Sequence, residues 1–142
     1  MTLKTHFIVS SVVGLSFGFI FKSYVIGIAS WLVGWIMDTD HLLDYFIYLK
    51  KFKKKFNLKE FFASHYLKKL GKIYFLAHGW EYLILFSIFG FWQLDNAFVF
   101  AVSFSYFLHL ALDQYKYKVS PFIYFLIYRI KINFNIDKLC WE

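Results

Sequence analysis

Four long apolar segments, each carrying histidine or acidic side chains near one end, limit what this chain can become more than any other feature. They cover residues 2–21, 24–44, 73–92 and 97–115. Each approaches the roughly 20 residues that a helix needs to cross a hydrocarbon core about 30 Å thick. The count holds only if His6, Asp38, Asp40, His41, His78, Glu81, His109 and Asp113 are carried inside the segments or at their edges. Ionisable groups are costly in such surroundings, so they argue for function.

Composition supports a bilayer as the solvent. Of the 142 residues, 60% are hydrophobic and 25% aromatic, against roughly 45 to 50% apolar usage in soluble globular domains. The net charge of +7 would suit a nucleic-acid partner only if Lys and Arg could coat a soluble surface, and too little polar surface remains to build one. No nucleic-acid partner is expected; membrane lipids are. The first thirty residues share features of a secretory signal, with Lys4 before the apolar run and Gly27-Ile28-Ala29 as small residues. Its weakly charged start, and the loss of His6 that cleavage would entail, favour a retained span. Cys140 has no second cysteine to pair with and reads as inert.

Charge then sets the expected orientation. Between the second and third segments stand Lys50, Lys51, Lys53, Lys54, Lys55, Lys59, Lys68, Lys69 and Lys72, and the positive-inside rule makes this stretch cytoplasmic. Lys4, and the basic residues after residue 115, fall on the same side, leaving Lys22 alone outside. The expected fold is all-α: an integral-membrane four-helix bundle, N-in and C-in, forming one domain over residues 1–142. Two amphipathic interfacial helices should accompany it. One starts at an Asn57 cap with Glu60 in its first turn and stops at Gly71. The other starts at Ser120-Pro121 and runs to Arg129.

Three pairs have the types and spacing of metal ligands on one helix face: Asp38 with His41, His78 with Glu81, and His109 with Asp113. Stripes of small residues lead to them. Ser10, Gly14 and Gly18 follow His6; Gly27, Ser30 and Gly34 precede Asp38; Ala101 and Ser105 precede His109. Small residues let membrane helices approach closely, so the packed faces should converge on the ligands. A lone membrane histidine is more commonly a hydrogen-bonded packing residue. These side chains, however, all fall at the cytoplasmic end of their spans, and imidazole with carboxylate is the donor set of Zn, Mn or Fe. Asp40 and Asp44 either orient His41 or face headgroups. His65 has no carboxylate at ligand spacing. Gly14-Leu15-Ser16-Phe17-Gly18 fits a nucleophile-elbow pattern but lies within an apolar helix, where the glycines serve packing.

At these residues the chain resembles the membrane-bound metal-dependent hydrolases, small bacterial inner-membrane proteins that include a LexA-regulated member. The likeness rests on Thr5-His6 with Gly14, on Asp38-Thr39-Asp40-His41 in place of a Pro-Asp-x-Asp-His element, and on His109-Leu110-Ala111-Leu112-Asp113. Met37 replaces the proline, and Ala77-His78-Gly79-Trp80-Glu81 stands where many members have His-Arg-Gly-x-Thr-His. The pattern is also similar to zinc-dependent phospholipases C. The resemblance implies hydrolysis of a phosphoester or lipid ester. One or two divalent ions would be held by His6, Asp38, His41, His78, Glu81, His109 and Asp113, with Glu81 or Asp40 as general base and Arg129 among the cations that hold a phosphate. A divalent-metal transporter, or a metal-binding membrane protein without catalysis, is the alternative.

Overall fold

A computed structural model describes residues 3–117 and 120–139; Cys140 and Lys118 lie outside them. The described chain is all-helical, with eight α-helices, three short 3-10 turns and no strand. Contacts divide it into two compact units, each assembled from two separate stretches: Met1–Met37 with Trp80–Tyr117, and Asp38–Gly79 with Lys118–Glu142.

The first unit contains α1 (Leu3–Ile20), α2 (Tyr24–Ile36), α6 (Trp80–Gln93) and α7 (Asn96–Tyr117). Lys22 turns the chain with a positive φ of 50°, and Ser23 caps α2 by accepting the Ile26 N–H. The glycine stripe then closes the hairpin. A methyl group at Gly27 would lie 2.9 Å from the Gly14 carbonyl oxygen and 3.0 Å from the Gly18 Cα, and one at Gly14 would lie 2.7 Å from the Trp31 Cβ. Backbone-to-backbone approach is therefore what these positions provide. Phe17, Ile26 and Ala101 form the buried apolar centre.

Among the described residues, only α7, over Asn96–Lys116, is both long and apolar enough to cross a membrane. The helix Thr5–Ile20 is apolar but shorter. The four expected spans of near 20 residues need correcting in their boundaries. The second apolar segment leaves the α-helix at Ile36 and continues as a 3-10 turn, Met37–Asp40. The third becomes helical only at Trp80 and ends at Gln93. Thirteen and fourteen residues rise only about 20 Å at 1.5 Å each. Asp38, Thr39 and Asp40 are poor helix formers whose side chains compete for backbone groups. The stretch 73–79 gives its backbone polar groups to side chains instead of to a helix, as described below.

The second unit contains α3 (His41–Phe52), α4 (Leu58–Ala63), α5 (Tyr66–Leu70) and α8 (Leu126–Lys131). Its apolar centre is Tyr45, Tyr48, Leu49, Tyr66 and Leu70. Asn57 caps α4 as expected, its Oδ1 accepting the N–H groups of Lys59 and Glu60. Gly71 ends α5 with a φ of +74°. The single amphipathic helix expected over 58–70 is broken at Ser64, which adopts the left-handed conformation. The break turns Tyr66 into the core, where its hydroxyl donates to the His41 carbonyl. The second expected helix is also split, into a 3-10 turn (Pro121–Tyr124) and α8. The segment 71–73 is tied to 133–136 by hydrogen bonds from Ile73 to Phe134 and from Ile136 to Gly71.

Candidate metal centres

In the first unit, His6 near the start of α1 meets His109 and Asp113 near the end of α7. All three are buried, and their ligand atoms lie within 4.8 Å of one another. His6 Nε2 donates to Asp113 Oδ1 at 3.0 Å, His109 Nε2 lies 3.6 Å from Asp113 Oδ2, and the two imidazole rings are 4.4 Å apart. The i,i+4 pair foreseen on α7 is thus in place, and His6 joins it. His109 Nδ1 donates to the Gly34 carbonyl at 2.9 Å. That bond fixes the neutral ring's proton on Nδ1 and leaves the Nε2 lone pair toward the carboxylate, which is the orientation a ligating histidine needs. Gly34 also lets α1 pack close, since a methyl group there would lie 2.5 Å from Ser10 Oγ. A cavity of about 10 Å³, bordered by His6, Ser10, Gly34, Ser105 and His109, is the size of a single water.

The second unit repeats this logic with different residues. Asp38, His41 and His78 bring their ligand atoms within 4.8 Å of one another. Asp38 Oδ1 lies 3.6 Å from His41 Nε2 and 3.8 Å from His78 Nε2. His78 Nδ1 donates to Asp40 Oδ2 at 2.8 Å, and the Ala77 N–H donates to the same oxygen at 2.9 Å. The ring is therefore held with its Nε2 turned toward Asp38. Asp40 Oδ1 is buried without a hydrogen-bond partner among the described residues, the state expected of a carboxylate beside a cation. Phe75 packs edge-on to His41 and Tyr124 stacks on His78.

The separations in both groups, 3.0 to 3.8 Å, bracket the edge of about 3.3 Å in a tetrahedron whose metal–ligand bonds are about 2.0 to 2.1 Å. Both His/Asp groups can hold a metal ion, the group of the first unit being buried throughout.

Other expectations come out differently. His78 and Glu81 do not share a helix face, because His78 stands in the irregular stretch before α6 while Glu81 is in its first turn. Glu81 belongs to neither group. Asp40 orients His78. Asp44 faces no headgroup: it is fully buried, and its carboxylate accepts the N–H groups of Tyr74 and Phe75. His65 is exposed. Arg129 cannot reach a phosphate at the surface. It is 0% exposed, and its guanidinium donates to the carbonyls of Tyr74, of Phe75 at 2.6 Å and of His78 at 2.7 Å. Sequence reasoning missed this role because an arginine in a basic tail carries no mark of its distant partners.

No family model, no curated protein and no solved structure matches this chain.

Proposed function

We propose that this chain is a multi-pass, membrane-embedded, metal-dependent hydrolase of phosphoester or lipid-ester bonds, working at the cytoplasmic face of the bacterial inner membrane. The observation that supports this reading is that His109 and His78 each have Nδ1 engaged by an acceptor, while Nε2 faces a carboxylate at ligand spacing. Nitrogen and oxygen donors of this kind suit Zn, with Mn or Fe also matched.

A bound divalent ion would supply a water acidified to a pKa of about 7 and would polarise the scissile ester. The residues supply the rest. His6, His109 and Asp113 form one ligand group, and Asp38, His41 and His78 the other. Asp40 keeps His78 in its coordinating tautomer. Glu81, in the first turn of α6, is proposed as the proton acceptor.

Elemental analysis of purified protein, paired with an ester and phosphoester hydrolysis panel in detergent, tests the reading. Bound metal that falls in His109→Ala and Asp113→Ala, with hydrolysis lost in parallel, is the expected result. Absence of metal in the wild-type protein refutes it. Bound metal with flux into proteoliposomes and no hydrolysis would establish a carrier instead.

A further inference from the structure

The stretch 73–79 carries His78 yet has no regular secondary structure of its own beyond the Lys72 bridge. An irregular backbone buried in protein must find hydrogen-bond partners, and here three charged side chains provide them. Arg129, from α8, takes the carbonyls of Tyr74, Phe75 and His78. Asp44, from α3, takes the N–H groups of Tyr74 and Phe75. Asp40 takes the N–H of Ala77 together with the His78 ring. The carbonyl side and the amide side of one short segment are thus gripped from opposite charges. Phe75 sits within that grip at a φ of +39°, a conformation that a bulky residue keeps only where its surroundings over-determine it.

Resting on the metal-site reading above, we propose that Arg129 and Asp44 are positioning residues for metal binding: together they pre-shape the 74–78 segment so that His78 Nε2 is aimed at its ligand place before any ion arrives. Neither residue coordinates. The guanidinium is suited to this because its planar fork serves three carbonyls at once, which a lysine ammonium on a flexible stem cannot reproduce. Burial makes the arrangement stringent, since removing one partner strands the others without water.

Two measurements test it on the full-length protein in detergent. In the metal-free wild type, hydrogen exchange should find the amides of Tyr74, Phe75 and Ala77 already protected; exchange as fast as in an open loop, slowed only by added Zn²⁺, would overturn pre-shaping. Zn²⁺ titration should then show Arg129→Lys and Asp44→Asn weakened by 10-fold or more, within the 10- to 100-fold range known for partners behind metal ligands. His109→Ala, in the other unit, supplies a protein with only the second group to titrate. In that background Arg129→Lys should change the visible spectrum of bound Co²⁺ as well as the affinity, a signature that loss of stability alone would not produce. Unchanged affinity and spectrum in both variants would refute the positioning role while leaving the metal reading intact. No Zn²⁺ binding by the wild type would remove the metal reading itself, and this inference with it. If both variants lose their helical circular dichroism, the exchange measurement on the wild type decides.

Discussion

The smallest features of this molecule that decide its properties are glycines at which a methyl group has no room. A methyl group added at Gly27 would meet the backbone of Gly14 and Gly18 at 2.9 and 3.0 Å, and backbone cannot swing aside as a side-chain tip can. Gly27→Ala should destabilise by about 1 to 3 kcal/mol, the usual range for overpacking, read as a lowered thermal midpoint in detergent. Gly71→Ala is a contrasting case: nothing lies within 4 Å, and only its φ of +74° resists. Its cost should be about 1 kcal/mol. An equal loss at the two positions would mean that the hairpin is looser than these distances state. Both glycines could be singled out from the sequence, one as a packing stripe and one as a helix stop, because each role is local or periodic. The Arg129 contacts could not, since its three acceptors lie 51 to 55 residues away.

At the level of elements, the surface helix α4 joins sequence to a pH response. Glu60 accepts from Lys54 Nζ and from Tyr48 OH, each at 2.8 Å. The Lys54 hydrogen bond, followed by that of Tyr48, holds the Glu60 pKa below its ordinary value of 4.5. A carboxylate with a lowered folded pKa contributes stability above its unfolded value and loses it as pH falls through the folded one. The thermal midpoint of the wild type should therefore drop more steeply below pH 4.5 than that of Glu60→Gln; parallel curves would show that the network adds nothing. Exposure keeps this effect small. Caps and stops at Asn57 and Gly71 were legible because capping chemistry is local. The breaks at Ser64 and Phe125, and the early end of α2, were not. They follow from tertiary demands, such as the burial of Tyr66 and the handover of Asp40 to His78 and Ala77, that no window of sequence contains.

At the level of the whole chain, metal and membrane make separate predictions. An ion that binds only the folded protein at 100 times its dissociation constant stabilises by about 2.7 kcal/mol, so chelation should lower the thermal midpoint by on the order of 10 °C. No change on chelation would remove any structural part for an ion. Proposed N-in, C-in topology predicts that cysteines placed at Lys54 and Lys118 react from the cytoplasm and one at Ser23 from the periplasm. Labelling of positions 54 and 118 from opposite sides would overturn it. The ligand types, and their places near helix ends, could be read from the sequence. The division into two units could not, because no linker or change of composition marks it. That division also orders events during synthesis. Asp38, His41 and His78 leave the ribosome before His109 and Asp113, yet Arg129 follows them all. The ligand group that is complete first is thus the last to acquire its full support, and a nascent chain carries one completed histidine–carboxylate trio while the other still awaits its brace.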